Sequence, residues 1–264
     1  MCLVSAQGQE GELRAIRARF VIGADGAHSI VAKKLGLAVP PREAPRFALG
    51  GHYSGFTDLG PFVEMFVEGS SYFAVNPFDA AHANVMVIVR ENELSLRKND
   101  VDAFLRERAR ALSSGSTRFS NLHLDGKRLA VGPLAHATRA ISLENVLLAG
   151  DAAGFIDPFT GQGVYMALRG GTAAARAVIA ARANPPHSQL AIEAYATEVT
   201  REFRLRSRLA RIVRSLVRSA ALSKRAVRNL ERDPARAQSV IDAIAGCGPL
   251  EPALRFGNLL GLVA

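Results

Sequence analysis

The chain has 264 residues, of which 48% are apolar and 22% are charged, and these proportions exclude a disordered tail, a collagen-like fibre and a disulfide-rich mini-protein. Its 33 Lys and Arg residues outnumber its 24 Asp and Glu residues, which gives a formal net charge of +9. Because the sequence shows no signal peptide, no run of about 18 apolar residues and no paired-cysteine motif, we expect a soluble cytoplasmic protein.

The N-terminal part predicts a hairpin followed by a strand, a loop and a short helix. Two runs within residues 3–18, separated by turn residues, are typical of a β-hairpin. The apolar run Phe20–Ile22 predicts a buried strand that ends at a Gly-Ala-Asp-Gly loop. Ser29 or Asp25 can then cap a helix over residues 30–35.

The middle of the chain, residues 40–127, changes to short runs rich in Phe, Val and Ile and predicts an antiparallel sheet. The predicted strands are Phe47–Tyr53, Phe62–Val67, Tyr72–Val75 and Asn84–Val89. A helical period follows over residues 102–112. The aromatic side chains of this segment can line an apolar substrate cavity or form the sheet core, and both readings stay open: Phe62, Phe66, Tyr72, Phe73 and Phe78.

The C-terminal half returns to strand and helix. Residues 128–134 and 145–149 predict strands, and a Gly-containing turn leads from the second strand into an Ala-rich helix over residues 164–182. Helices are predicted over residues 189–221 and 234–245, with a short one after Pro249. This order predicts an α/β domain formed by residues 1–39 and 128–183, an inserted sheet domain over residues 40–127, and a helical region over residues 184–264.

The run from Gly150 to Gly163 reads Gly-Asp-Ala-Ala-Gly-Phe-Ile-Asp-Pro-Phe-Thr-Gly-Gln-Gly and carries the strongest chemical signal. A carboxylate at the end of a strand can accept both hydrogens of a ribose diol. Glycines ahead of a helix let backbone N–H groups approach an anionic or electron-rich edge, and Pro158 fixes the backbone direction. The alternative is that Asp151 only caps a turn, but the length of the run favours a dinucleotide site.

This run resembles the flavin-contacting motif of the FAD-dependent oxidoreductases that include geranylgeranyl reductases, aromatic-ring hydroxylases and flavin halogenases. The segment Arg19-Phe20-Val21-Ile22-Gly23-Ala24-Asp25-Gly26-Ala27-His28-Ser29 is similar to the Asp-Gly motif of the same superfamily. Both motifs occur in the family's order, and the resemblance covers roughly residues 12–183. The amino-acid sequence of the Gly150–Gly163 run is most similar to that of the geranylgeranyl reductase branch.

The resemblance implies a Rossmann-like FAD-binding domain with an inserted antiparallel substrate sheet and C-terminal helices. Asp151 would hold ribityl or ribose hydroxyls, and NAD(P)H would be the electron donor for an apolar, isoprenoid or polycyclic substrate. Asp25 and Gly26 would lie near the pyrophosphate, and the N–H groups of residues 161–163 would face the pyrimidine edge of the flavin. The implied cofactor-binding residues are therefore Asp25, Gly26, Gly150, Asp151, Pro158, Gly161, Gln162 and Gly163. No general acid or base is assigned, and the six histidines show no metal-ligand spacing.

One part of the family pattern is absent from the sequence. The G-x-G-x-x-G unit that holds the ADP half of FAD does not occur in these 264 residues. We therefore expect a fragment, or less readily a split enzyme whose N-terminal half is on another chain. The alternative function is a non-catalytic binding or interaction protein that retains a flavoprotein fold and uses a cationic helix.

That cationic helix is predicted over residues 201–232, which contain eleven Lys and Arg residues and two acidic ones. Apolar residues recur at helical spacing between the arginines. The segment is read as a solvated helix face, with contact to an anionic membrane surface or an acidic partner as the alternatives. Nucleic-acid binding is not expected, because aromatic residues and a recognisable nucleic-acid motif are missing from the segment.

Overall fold

The computed structural model describes residues 1–7, 12–40, 44–68, 71–96, 101–112, 117–155, 158–217 and 219–255. The strands are β1 (Cys2–Gln7), β2 (Leu13–Ala18), β3 (Val21–Gly23), β4 (Ala38–Val39), β5 (Arg46–Ser54), β6 (Glu64–Glu68), β7 (Ser71–Pro77), β8 (Ala83–Arg90), β9 (His123–Leu124), β10 (Leu129–Val131), β11 (Ala137–Thr138), β12 (Ser142–Leu143) and β13 (Val146–Leu148). The α-helices are α1 (Ile30–Lys34), α2 (Glu91–Leu96), α3 (Val101–Leu112), α4 (Gly163–Ala183), α5 (Ser188–Val217), α6 (Ala220–Arg232), α7 (Pro234–Ala245) and α8 (Leu250–Ala253). Short 3₁₀ helices cover Thr117–Phe119, Gly150–Ala153, Pro158–Thr160 and Pro185–His187.

The chain forms two compact units. The first unit contains residues 1–40, 136–211 and 233–259, and the second contains residues 41–135, 212–232 and 260–264. The chain therefore leaves the first unit after Pro40 and returns to it at His136. The separate helical region expected over residues 184–264 stays a prediction.

The first unit is organised around a small sheet in the order β12-β13-β3. Strands β13 and β3 are parallel, with Val146 opposite Val21 and Leu148 opposite Gly23. Helix α4 packs against the buried Leu147 of β13 through small side chains of which Ala173 and Ala174 are fully buried, and α5 adds Tyr195 and Val199 to this core. The Tyr195 hydroxyl donates a hydrogen bond to the carbonyl of Leu148, and burial raises the pKa of this tyrosine. This hydrogen bond from α5 therefore fixes the C-terminal end of β13.

The second unit contains an antiparallel sheet in the order β10-β5-β8-β7-β6, with β9 also paired to β5. Alternate residues of β8, including Val85, Val87 and Val89, are buried under α3, as the period of two in a strand requires. Phe73 and Phe119 complete this core with an edge-to-face contact of 5.3 Å between ring centroids. The sheet predicted from the Phe, Val and Ile runs is therefore present.

Several local expectations need correction. Ile22 is 42% exposed, so β3 is not the buried strand that its composition predicted. The single helix predicted over residues 189–221 ends at Val217, and α6 begins at Ala220 with the Ser219 hydroxyl accepting from the Leu222 N–H at 3.4 Å. The five aromatic residues for which substrate lining and sheet core were both left open differ in burial. Tyr72 and Phe73 are buried in the core and Phe66 packs against it half-buried, whereas Phe62 and Phe78 are exposed.

Candidate functional site

The two motif loops identified in the sequence lie at the same edge of the parallel strand pair. The first loop follows the end of β3 and the second follows the end of β13. The Ala149 N–H donates to the Gly23 carbonyl at 2.9 Å, which extends the pairing to the point where both loops begin. Ligands of parallel α/β sheets bind beyond the carboxyl ends of the strands. The fold therefore brings two motifs separated by more than 120 residues to the position where a ligand is expected.

In the first loop, Asp25 acts as a helix cap. One of its carboxylate oxygens accepts from the backbone N–H groups of Ile30 at 2.7 Å and Val31 at 3.1 Å. The Ser29 hydroxyl accepts from the next N–H of the same helix, α1, at 2.9 Å. Desolvation raises the pKa of Asp25, but hydrogen bonds from Ser29 and the first backbone N–H groups of α1 outweigh it and hold the pKa below its ordinary value. The carboxylate is thus largely committed to the protein itself.

In the second loop, Gly150 and Asp151 start a turn of 3₁₀ helix directly after β13. Gly150 has a φ of +59°, and a Cβ at this position would lie 3.2 Å from the Ala167 Cβ of α4. Glycine is therefore required both by the backbone conformation and by the close approach of the helix. The Asp151 carbonyl accepts from Gly154 at 3.1 Å, and its half-buried side chain lies in a cleft formed by the loop and by helices α4 and α5.

His136 holds this turn in place, although its sequence context gave no sign of that role. Its Nε2 lies 2.5 Å from the Asp151 carbonyl oxygen, and because a carbonyl only accepts, Nε2 carries the proton. The backbones of His136 and Phe155 exchange two hydrogen bonds of 2.9 and 3.0 Å, and their rings are stacked with centroids 6.0 Å apart. The histidine thus fixes the backbone next to Asp151 from the neighbouring segment.

The Gly-Gln-Gly segment leads into the N-terminus of α4. The Gly161 N–H donates to the Pro158 carbonyl at 2.9 Å, so it is already used within the turn. Gln162 is 8% exposed, and its side-chain Nε2 donates to the carbonyls of Ala243 at 3.1 Å and Ile244 at 2.8 Å. Helix α4 begins at Gly163, and its first N–H groups have no acceptor within the helix. The backbone donors that the geometry offers to a ligand are therefore those that follow Gly161.

Two of the predicted glycines have open space beside them. Gly26 has a φ of +80° and Gly161 a φ of +65°, and no atom of the described residues lies within 4 Å of the position that a Cβ would take at either. The positive φ explains glycine at both positions. The space next to each is available to a ligand that approaches the backbone.

The cleft beside the second loop has a volume of about 50 Å³. It is lined by Asp151, Gln162 and Gly163 of the predicted set, together with Phe155, Phe203 and Arg206. In the described part of the chain, the other five predicted residues do not line it: Asp25, Gly26, Gly150, Pro158 and Gly161. Because ligand pockets usually measure about 300–1,000 Å³, this cleft can hold one edge of a ligand and not a whole dinucleotide. Its aromatic walls and backbone donors suit a flat ring with electron-rich edge atoms.

A buried ion pair borders the cleft and was missed in the sequence, where the basic segment was read as exposed. Arg206 is only 5% exposed, and its Nε donates to the Glu202 carboxylate at 2.6 Å. Its guanidinium lies over the Tyr165 ring, 3.9 Å from the centroid, and Nη1 lies 3.4 Å from the Ala243 carbonyl oxygen. The spacing of four residues between Glu202 and Arg206 was a readable signal for this pair. Arg206 thus ties α5 to α4 and α7 at the border of the cleft.

Neither a metal-binding cluster nor a membrane-spanning helix is found in the described ranges. No group of three or more His, Cys, Asp or Glu side chains in these ranges could hold a metal ion. Within the same ranges, no helix is both long enough and apolar enough to cross a bilayer.

Comparison with known proteins identifies relatives of this fold and sequence. The sequence model of the family described as "FAD binding domain" matches residues 4–202. The chain is also 28% identical, over 169 residues, to digeranylgeranylglycerophospholipid reductase 2 of Methanothermobacter thermautotrophicus. That alignment covers 61% of this chain and 40% of the reductase.

The solved structures that resemble the chain are flavin-dependent proteins. A triple mutant of the flavin-dependent brominase Bmp2 has a TM-score of 0.78 at 19% identity, and the match covers 93% of this chain and 62% of the brominase. PqsL, a probable FAD-dependent monooxygenase from Pseudomonas aeruginosa, has a TM-score of 0.59 at 21% identity, covering 82% of this chain and 63% of PqsL. These similarities show a shared fold, and the chain spans less than two thirds of the length of each of these proteins.

Proposed function

Because the chain belongs to the FAD binding domain family, we propose that it forms the flavin-side part of an FAD-dependent oxidoreductase. The observation that supports this most is the parallel pairing of β3 with β13, which brings both motif loops to one edge of the sheet. The N-terminus of α4 opens on the cleft at the same edge. The alternative from the sequence, a non-catalytic interaction protein, does not explain why both motif loops and the N-terminus of α4 lie at one edge of the sheet.

The residues present fit one end of FAD. Asp151 lies in the cleft where its carboxylate can accept hydrogen bonds from hydroxyls of the ribityl chain. The first N–H groups of α4 suit the electron-rich pyrimidine edge of the ring, where the helix dipole also favours negative charge. When bound, FAD supplies the transfer of hydride between a donor and a substrate. We propose NAD(P)H as that donor.

The other half of FAD needs a partner that these residues do not supply. The sequence contains no G-x-G-x-x-G, and Asp25 near the first loop already caps α1. We propose that residues outside this sequence bind the ADP half, either on the same polypeptide or on another chain. The exposed Ile22 on β3 is consistent with further protein against this sheet.

For the substrate, we propose an apolar lipid of the isoprenoid type. The reductase relative carries a digeranylgeranyl phospholipid in its name, and apolar side chains are exposed in the second unit at Phe62 and Phe78. A polycyclic substrate is the second candidate, since the fold is shared with a brominase and a monooxygenase. Tyr72 and Phe73 are not proposed to contact either substrate, because both side chains are buried in the core of the second unit.

Titration of the 264-residue chain with riboflavin, FMN and FAD, followed by the quenching of flavin fluorescence, tests this assignment. We expect the three dissociation constants to agree within about fivefold, because the chain contacts the ring and ribityl chain that all three ligands share. Asp151→Ala should weaken all three by roughly 10–150-fold, as for the loss of a charge-assisted hydrogen bond. The exposed Asp125, whose carboxylate accepts from the Ser54 hydroxyl at 3.0 Å in the second unit, supplies the matched control Asp125→Ala.

Two results would overturn the assignment. Failure of all three flavins to bind would remove the flavin site from this chain. Binding of FAD more than about 100-fold tighter than riboflavin would show that the chain also holds the ADP half.

A further inference from the structure

Helix α6 presents a basic face on the second unit. It contains Lys224, Arg225, Arg228 and Arg232 against one acidic residue, Glu231, and all four basic side chains are exposed. Three of them, at positions 224, 228 and 232, are spaced by four residues and therefore lie along one side of the helix. The opposite side is packed, since Ala226 is buried. The 13-residue helix α6 therefore has one side packed against the protein and exposes these four basic side chains, which we call the cationic strip.

The structure separates this strip from the arginines of the preceding helix. Arg206 is buried in its ion pair with Glu202, and Arg201 pairs with Glu251 at 2.8 Å. The sequence grouped residues 201–232 into one cationic helix, but the break before Ala220 divides them. Arg204, Arg208 and Arg211 are exposed on α5, but α6 is shorter and exposes four basic residues within nine positions, from Lys224 to Arg232.

Apolar side chains flank the basic face of α6. Leu222 is 39% exposed and Val227 is 54% exposed. At 3.6 residues per turn, these two positions fall on opposite borders of the face formed by the four basic residues. A cluster of four or more lysines and arginines on an amphipathic helix is typical of surfaces that bind anionic lipid headgroups. Nucleic-acid surfaces are disfavoured, because α6 contains no aromatic residue on which a base could stack.

We propose that the basic face of α6 docks on an anionic lipid bilayer. Its cationic strip attracts the acidic headgroups, and the binding is therefore electrostatic and weakened by salt. Because Ala226 is packed against the protein, the helix binds with its face and does not embed fully in the membrane. The docking does not require bound flavin, so it stands or fails separately from the proposed redox function.

Sedimentation with vesicles tests the proposal on the intact 264-residue chain. We expect binding to vesicles of 30% phosphatidylglycerol in phosphatidylcholine, little binding to pure phosphatidylcholine, and loss of binding as salt is raised beyond physiological strength. Each basic residue near an anionic surface contributes about fivefold to the partition coefficient, so removing four should lower it by more than about 100-fold. The variant for this test replaces all four with glutamine: Lys224→Gln, Arg225→Gln, Arg228→Gln and Arg232→Gln.

A control with the same change in net charge separates the α6 face from a general effect of positive charge. It replaces four exposed basic residues elsewhere with glutamine: Arg17→Gln, Lys33→Gln, Lys34→Gln and Lys127→Gln. Circular dichroism confirms that both variants are folded. Retained binding of the control and loss in the α6 variant support the proposal, whereas equal binding of the two variants overturns it. Binding to polyuridylate or polyglutamate in preference to the anionic vesicles also overturns it, and identifies a nucleic acid or an acidic protein as the partner.

Discussion

Replacing Gln162 with leucine removes the contact by which α7 holds the start of α4. The Gln162 amide group makes two hydrogen bonds, of 3.1 and 2.8 Å, to carbonyls at the end of α7. A buried hydrogen bond contributes about 1 kcal/mol, and the two carbonyls would also be left partly unsatisfied. Part of the loss is offset by the apolar side chain of leucine and by Arg206, whose Nη1 lies 3.4 Å from the Ala243 carbonyl oxygen. We therefore expect the free energy of unfolding to fall by about 1–3 kcal/mol.

Urea unfolding followed by circular dichroism measures this change, with Gln238→Leu as the matched control. Gln238 also donates from its side-chain amide, to Asp242 at 2.7 Å, but this pair is exposed and lies within one helix. Its removal should cost less than about 0.5 kcal/mol. If Gln162→Leu and Gln238→Leu lower the unfolding free energy equally, Gln162 does not anchor α4 to α7.

The remaining predictions concern two charged side chains. Because the folded-state pKa of Asp25 is lowered, its ionised form stabilises the fold above the ordinary value near 3.8, and this contribution is lost as the pH falls through the folded value. Asp25→Asn should therefore lower the unfolding free energy by roughly 0.5 kcal/mol at pH 7, and the difference should disappear once the pH falls below the lowered folded-state pKa of Asp25. A difference that persists in strong acid would contradict the role of the charge. Arg206→Met should lower the unfolding free energy by about 2–4 kcal/mol, because it leaves the Glu202 carboxylate without its buried partner, whereas Arg208→Met at an exposed site should cost less than about 0.5 kcal/mol. Equal effects of the two methionine variants in urea unfolding would show that the buried ion pair does not stabilise the fold.

Local signals in the sequence were sufficient for much of the fold. Short runs rich in Phe, Val and Ile located the sheet of the second unit, and Asp25 and Ser29 both cap α1 as their positions before the helix suggested. The Gly-rich run after β13 was correctly placed between a strand and a long helix. These features depend on neighbouring residues, so periodicity and capping rules are adequate for them.

Contacts between distant segments could not be predicted in the same way. Nothing near Gln162 indicates that its side chain reaches the end of α7, about 80 residues later. Similarly, the residues around His136 in the sequence do not indicate that its side chain contacts the Asp151 turn. The exposure of Ile22 shows the reverse problem, since an apolar strand can remain uncovered when no described element packs on that face. Tertiary packing decides each of these cases.

The central claim is that the loops after β3 and β13, together with the start of α4, form the flavin contact. The most direct test is the change in backbone amide chemical shifts of the ¹⁵N-labelled chain when FMN is added. The account predicts that the largest shifts cluster at residues 23–26, 150–155 and 161–165, and that Asp151→Ala reduces them at equal ligand concentration. Shifts concentrated in the second unit, or spread evenly over the chain, would contradict the claim.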